Sequence, residues 1–368
     1  MDIIVENGKV IQISPCQEGS LYDFGGTDLY VCSGFFDPQV NGFRGVDFNG
    51  PYLSPEGLHR AALCLASTGV TRFLPTLITS SHEKMVHQLR IIGDALGSDS
   101  LLRKMCPGIH LEGPYISPED GPRGVHPREF IRLPQWEEVE RFQEACGGRI
   151  KCVTLAPELK GAIPFIKKAT THGIVIGIGH TDASEEILEE AVQAGARLSC
   201  HLGNATPKPS SHDQNPIRKQ LSMDQLMVSI IVDGIHLTPD VVNEYVQTKG
   251  VGRIVLTTDS MAGAGAPPGR YTLGDLEVEV GPDRAARSVD TSRLAGSTLT
   301  MDCAITNVIR FAGIDLASAI HMAAKNAHRV FSEVRGEIIS GYSADLVLFE
   351  YQRELMVRST WIEGEKIF

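Results

Sequence analysis

Several short apolar runs in this chain end in a residue that can bind a metal. Ile109-His110-Leu111-Glu112 closes on a carboxylate just before Gly113-Pro114, the run from Ile174 to Gly179 closes on His180, and Leu198-Ser199-Cys200 closes on His201. One carboxylate and two imidazoles are a donor set for Zn²⁺, which in catalytic sites leaves a position for water; Fe²⁺ accepts the same set. A further run, Ile254-Val255-Leu256-Thr257-Thr258, closes on Asp259. That carboxylate is free to take a proton from water and pass it to a leaving amine. A single strand-end histidine is ordinarily a hydrogen-bonded structural residue. Glu112, His180, His201 and Asp259 together are hard to place by packing, because such groups are costly to bury unless paired or metal-bound. His110 lies on the same strand face as Glu112, one layer deeper, and is an alternative ligand. Glu158, after Ala156-Pro157, is either structural or a support to the ligands.

The spacing of these runs predicts the elements that must position them. Eight apolar runs recur: 30–37, 72–78, 108–112, 150–155, 174–180, 198–201, 228–233 and 254–259. Helix-like stretches lie between them at 55–67, 81–96, 133–146, 163–171, 184–194 and 239–247. Asp182-Ala183-Ser184 and Thr238-Pro239-Asp240 carry the caps, early proline and early acids of helix starts. Strands alternating with helices predict an α/β fold, a (β/α)₈ TIM barrel, whose C-terminal strand ends share one pocket. The strand ends then bring Gln39, Asn41, Thr76, Glu112, Glu158, His180, His201, Asn204, Asp233, His236 and Asp259 together. An open doubly wound sheet is the alternative, but Gly34-Phe35-Phe36-Asp37 is not its Gly-rich phosphate turn.

Both ends of the chain read as short strands. Asn7-Gly8 sits between two alternating segments as a hairpin turn, and 344–350 and 360–368 have the same character. They predict a small β-sandwich domain from residues 1–33 and 335–368 around a hydrolase barrel of 34–334. An inserted hairpin is expected over 271–293, then helices at 300–312 and near 316–331.

The formal net charge of −11 argues against nucleic-acid or anionic-membrane partners. Any anionic substrate must be drawn by local groups. The N-terminus lacks the basic and apolar regions of a signal peptide, and no run is long enough for a transmembrane helix. Eight cysteines without a CxxC pair read as reduced thiols in a cytoplasmic protein, with Cys32, Cys64, Cys152 and Cys200 in apolar runs.

Taken together, Gly34-Phe35-Phe36-Asp37-Pro38-Gln39-Val40-Asn41-Gly42, His110-Leu111-Glu112-Gly113-Pro114, Gly179-His180-Thr181, His201-Leu202-Gly203-Asn204-Ala205, Asp233-Gly234-Ile235-His236 and Thr258-Asp259 resemble the N-acetylglucosamine-6-phosphate deacetylase family of the amidohydrolase superfamily. The likeness runs almost the whole chain, with His-Leu-Glu-Gly-Pro its most specific element. It implies a barrel with a small β-sandwich and hydrolysis of the acetamide of an amino-sugar phosphate. It also implies a homodimer that acts on a small molecule. By this resemblance Glu112, His180 and His201 match the metal ligands and Asp259 the catalytic acid/base. His126 matches a histidine that helps hold the substrate near its carbonyl, and Asn204, Ala205 and His236 match sugar- and phosphate-contacting positions.

Two departures from the family pattern carry expectations. Two-metal superfamily members have His-x-His at the end of the first strand; here Gln39 and Asn41 stand there. Amides are poor ligands beside imidazoles, so a single divalent ion is expected, zinc first, with iron or another first-row ion also accommodated. Gln39 and Asn41 then face substrate. The family's phosphate-binding Arg aligns with Gln214, so Lys208 or Arg218, or Arg123 or Lys219, must replace it if the substrate is phosphorylated. The alternatives are deacetylation of another N-acyl amine lacking a 6-phosphate and a catalytically silent sugar-phosphate-binding barrel.

Overall fold

Eight parallel strands form one sheet in sequence order: Phe35–Val40, Val70–Ile78, Ile109–Glu112, Ile150–Leu155, Val175–Ile178, Leu198–Ser199, Met227–Ile230 and Ile254–Leu256. A parallel bridge between Val40 and Ser260, with Asn41 N donating to Ser260 O at 2.8 Å, joins first strand to last and closes the barrel. The computed structural model describes the chain except residues 17–22, 27, 207–214 and 334. Lys208 and Gln214 therefore lie outside the described residues.

Side chains alternate along each strand, so one parity faces the barrel interior. Phe36, Leu74, Cys152, Leu198 and Val255 form one buried cluster there, joined by Ala327 and Val330 from the helix Lys325–Val330. Asn326 of that helix donates to Val251 O at 2.7 Å and Ile254 O at 2.6 Å. Those carbonyls lie at the start of the last strand, so the helix stoppers the N-terminal end of the barrel. Each fully buried large apolar side chain adds about 1.5–3 kcal/mol of burial free energy. The closed bottom leaves the C-terminal strand ends as the open end.

Helices cover the outside. Pro55–Ala66 starts on Ser54, whose hydroxyl accepts from Gly57 N, and His82–Ser98 starts on Ser81, which accepts from Lys84 N. Glu185–Ala194 starts on Ser184 in the same way; caps of this kind are worth about 1 kcal/mol each. Among the described residues no helix is long and apolar enough to cross a membrane.

The termini form two further sheets. Asp2–Glu6 and Lys9–Ser14 make a hairpin whose turn places Asn7 at φ 49° and Gly8 at φ 76°. Leu346–Tyr351 pairs with Tyr30–Ser33 on one side and Leu355–Ile362 on the other, and Glu365–Lys366 completes a four-stranded sheet. Val10, Ala344 and Leu346 are buried together where hairpin and sheet meet.

Three expectations need correction. The run 30–37 is not one barrel strand: Tyr30–Ser33 joins the terminal sheet and Phe35–Val40 the barrel. They part at Gly34, where a β-carbon would lie 2.0 Å from Thr71 Oγ1, so only glycine lets the chain pass. The hairpin expected over 271–293 is a three-stranded antiparallel sheet, Gly269–Leu273, Leu276–Val280 and Ala286–Ser288. Its apolar face packs with Ile78, Met261 and Ala262 at the open end of the barrel. The helix near 316–331 is two, Leu316–Ala323 and Lys325–Val330, separated at Ala324 with φ −119° and ψ −82°. Two short helices carried too little periodicity to be seen in the sequence, Ser100–Met105 and Pro216–Ser222.

Candidate metal centre

The chemistry-bearing residues stand where strands stop. His180, His201 and Asp259 each leave their strand with positive φ, 50°, 30° and 48°. A non-glycine residue there costs about 1–3 kcal/mol and persists only where its surroundings hold it. Ser117 N donates to His180 O at 2.9 Å, Ser229 Oγ accepts from His201 N at 2.8 Å, and Ser297 N donates to Asp259 O at 2.8 Å. These bonds fix the reversed backbone that aims the side chains inward.

They converge on one oxygen. Glu112 Oε1 lies 3.1 Å from His180 Nε2, 2.7 Å from His201 Nε2 and 2.8 Å from Gln39 Nε2. His180 Nδ1 lies 2.8 Å from Pro122 O, which can only accept, so that nitrogen carries the proton. In the neutral ring, Nε2 then presents a lone pair to the Glu112 carboxylate. Two lone pairs facing at 3.1 Å call for a proton or a cation between them, and the backbone bond to the other ring nitrogen is the arrangement metal-bound histidines use. Glu112, His126 and His180 also offer ligand atoms that all lie within 4.8 Å of one another. The residues present therefore fit a divalent ion. His126 competes with His201 for the third protein position: its Nδ1 is held by Thr79 Oγ1 at 2.9 Å, whereas His201 Nδ1 is buried with no partner among the described residues.

Electrostatics follow from this crowding. Burial pushes the Glu112 carboxyl up, but the hydrogen bonds and charges of His180 and His201 outweigh it and hold it well below the usual carboxylate range. Burial disfavours the charged form of His201, and the bond to Glu112 reverses this and raises it. Burial, followed by the repulsion of His180, drives His126 down to about 3, so its ring is neutral.

Asp259 sits beside this cluster. Its Oδ1 accepts from Gln39 Nε2 at 2.9 Å and Asn41 Nδ2 at 2.7 Å. Burial and then the Glu112 charge push its pKa up, against smaller pulls from His201, His236 and Asn41. A carboxyl raised towards neutrality suits a group that must both take and give a proton. Gln39 thus binds protein carboxylates with its amide nitrogen, while Asn41 lines the cleft and keeps a buried Oδ1 without a partner among the described residues.

The remaining strand-end residues have other placements. His110 Nδ1 faces Pro38 O at 3.0 Å and Nε2 meets Thr154 Oγ1 at 2.7 Å, so both ring nitrogens are spoken for. Burial drives it down to about 4 and keeps it neutral; it is a structural residue below the centre. Glu158 accepts from Thr181 Oγ1 at 2.6 Å and Asp182 N at 2.8 Å, bracing the turn after His180. Asp233 accepts from the backbone NH groups of Ile235 and His236 and grips His236 Nδ1 at 2.6 Å, leaving a buried His236 Nε2 unpartnered among the described residues. Thr76 Oγ1 accepts from Val40 N at 3.1 Å and holds the first strand in register.

A cleft opens above Glu112, His126, His180 and Asp259, and Asn204 and Ala205 form part of its wall. Arg123 is engaged with Asp120 Oδ1 at 2.5 Å and His126 O at 3.0 Å. Lys219 pairs with Glu189 on the outer helix. Arg218 stands exposed on Pro216–Ser222 and is not part of the cleft's described wall. Sequence reading missed Arg293, which lines the cleft and donates to Gly124 O at 3.1 Å. It follows the inserted sheet, far in sequence from any barrel strand end, so no motif pointed to it.

Comparison with known proteins agrees with this geometry. The model of the amidohydrolase family matches residues 30–367. N-acetylglucosamine-6-phosphate deacetylase of Lysinibacillus sphaericus is 31% identical over 352 residues, covering 95% of this chain and 89% of the relative. N-acetylgalactosamine-6-phosphate deacetylase of Escherichia coli O157:H7 is 30% identical over 339 residues, covering 91% of this chain and 87% of the relative. Among solved structures, a mutant N-acetyl-D-glucosamine-6-phosphate deacetylase of Mycobacterium smegmatis in complex with N-acetyl-D-glucosamine-6-phosphate superposes with a TM-score of 0.90 at 28% identity, covering 99% of this chain and 94% of the other. Barrel, strand-end cluster and relatives thus converge, and this chain belongs to the amidohydrolase family, alongside its amino-sugar-phosphate deacetylases.

Proposed function

We propose that this chain is a metal-dependent hydrolase that removes the acetyl group from N-acetylglucosamine 6-phosphate, giving glucosamine 6-phosphate and acetate. The observation that carries the reading is the convergence of His180 Nε2 and His201 Nε2 on Glu112 Oε1, at 3.1 and 2.7 Å, with the Asp259 carboxyl beside them. Glu112, His180 and His201 would hold one divalent ion, zinc first and iron or another first-row ion next. Such an ion supplies Lewis-acid polarisation of a carbonyl and acidification of a water.

The chain's own groups do the rest. Asp259 takes a proton from the attacking water and delivers it to the amine nitrogen as the C–N bond breaks. Gln39 and Asn41 keep that carboxyl in place by donating to Oδ1. His126, neutral and steadied at Nδ1 by Thr79, holds the substrate near its carbonyl. His236, anchored by Asp233 through Nδ1, offers Nε2 to the sugar phosphate, and Asn204 and Ala205 contact the sugar phosphate from the cleft wall. The barrel of residues 34–334 carries these groups, and residues 1–33 with 335–368 form its β support. The protein acts in the cytoplasm as a homodimer.

Acetate release from a panel of N-acetyl sugars, with and without a 6-phosphate, tests the reading. Turnover of N-acetylglucosamine 6-phosphate that a chelator abolishes and metal restores is expected; release from none of the panel would end it. N-acetylgalactosamine 6-phosphate belongs in the panel as a second reading, because a relative of nearly equal identity is named for it.

A further inference from the structure

We propose that Arg293 is the cation that makes this enzyme select a phosphorylated sugar. The inference rests on the deacetylase reading above and extends it to a residue that no motif marks.

With a net charge of −11, the protein repels a phosphate dianion at long range, so a local cation is needed. Among the described residues lining the cleft, Arg293 is the one lysine or arginine. Its Nη1 donates to Gly124 O at 3.1 Å. Gly124 lies against the centre: a β-carbon there would meet His180 Cε1 at 3.4 Å and Ala205 Cβ at 3.7 Å. The guanidinium is therefore tethered at the rim, next to a proposed metal ligand and a proposed substrate contact.

Arg293 is also held and unspent. Ser288 N donates to Arg293 O at 2.9 Å, Arg287 bridges to Leu294, and Ala295 N donates to Ala286 O at 3.0 Å. These bonds fix its backbone to the inserted sheet, which packs on Ile78 and Met261 at the barrel mouth. No ion pair among the described residues uses it: Asp120 feels its charge but accepts its hydrogen bond from Arg123, at 2.5 Å. A guanidinium has five N–H donors in a planar fork. With one donor on Gly124 O and no other side-chain partner among the described residues, the remaining face can meet the paired oxygens of a phosphate, a geometry that arginine matches better than lysine.

The test uses the metal-loaded full-length enzyme and compares wild type with Arg293→Gln and Arg293→Lys. The ratio of kcat/KM for N-acetylglucosamine 6-phosphate over N-acetylglucosamine is expected to fall about 10- to 100-fold in Arg293→Gln, the size of a lost charged hydrogen bond. The loss should appear in KM rather than kcat for the phosphorylated sugar, with partial recovery in Arg293→Lys. An unchanged ratio, or equal losses on both sugars, overturns the proposal. Calorimetric binding of glucosamine 6-phosphate against glucosamine separates the two readings. If no sugar is deacetylated but the phosphate-dependent gain in affinity is present in wild type and lost in Arg293→Gln, the deacetylase reading falls and Arg293 stands. If wild type binds both sugars equally, the Arg293 assignment falls.

Discussion

The side-chain amide nitrogen of Gln39 lies 2.9 Å from Asp259 Oδ1. The same nitrogen lies 2.8 Å from Glu112 Oε1, so one NH₂ group bridges the proposed acid/base and the proposed metal ligand. Two carboxylates this near repel each other, and a donor with two hydrogens offsets that repulsion without adding charge. Gln39→Met keeps the length and removes both donors. Turnover is expected to fall about 10²-fold, the size seen when a preorganised donor is lost. Steady-state kinetics on N-acetylglucosamine 6-phosphate check this; near-native turnover would make the bridge dispensable.

The third protein ligand is decided by two histidines. His201→Ala is expected to lower bound metal sharply, and His126→Ala to leave metal content near one ion per chain while reducing activity. Elemental analysis of chelator-free protein reads both. The reverse pattern would assign the site to Glu112, His126 and His180, whose ligand atoms lie within 4.8 Å of one another.

Asp259→Asn preserves shape and removes the proton acceptor. Turnover is expected to drop about 10²–10⁴-fold, as for a lost general base, with metal content unchanged. Activity within a few-fold of native would pass the role to another carboxylate.

Asp37 is fully buried and accepts from Thr257 Oγ1 at 3.0 Å and Thr258 Oγ1 at 2.5 Å. Burial outweighs these bonds and raises its pKa from 3.8 to about 6. The folded state therefore keeps a proton between about pH 4 and pH 6 that the unfolded chain has lost. The group's stabilising contribution is greatest below that window and falls as pH rises through it, by on the order of 3 kcal/mol. Asp37→Asn can keep the acceptor on Thr257 and donate to Thr258. Denaturant midpoints from pH 4 to 7 should show the variant gaining on wild type as pH rises. A constant difference across the range would contradict the raised pKa.

Gly34→Ala tests the junction between the two sheets. Its β-carbon would lie 2.0 Å from Thr71 Oγ1, so strand or side chain must shift. A loss of about 1–3 kcal/mol is expected, typical of overpacking, and thermal unfolding measures it. An unaltered melting temperature would mean that the contact relaxes freely.

The sequence alone determined the strand-end pattern and the barrel, because both are local. An apolar run of about four to eight residues reads as a buried strand, and the metal-binding or acidic side chain that closes it marks its end. Glu112, His180, His201 and Asp259 were legible for that reason, and Ser184 announced a helix by its capping chemistry. Tertiary structure decided what depends on distant partners. It sent Tyr30–Ser33 to the terminal sheet, because Gly34 alone fits against Thr71. Both nitrogens of His110 were committed to Pro38 and Thr154, which no spacing reveals. The Gln39 amide came to lie between carboxylates 73 and 220 residues away. Arg293 reached the cleft because the inserted sheet docks on Ile78 and Met261. Periodicity along the chain encodes which face is buried; which groups meet across the barrel mouth is set by closure of the sheet, which brings Val40 against Ser260 and gathers strand ends far apart in sequence around one cleft.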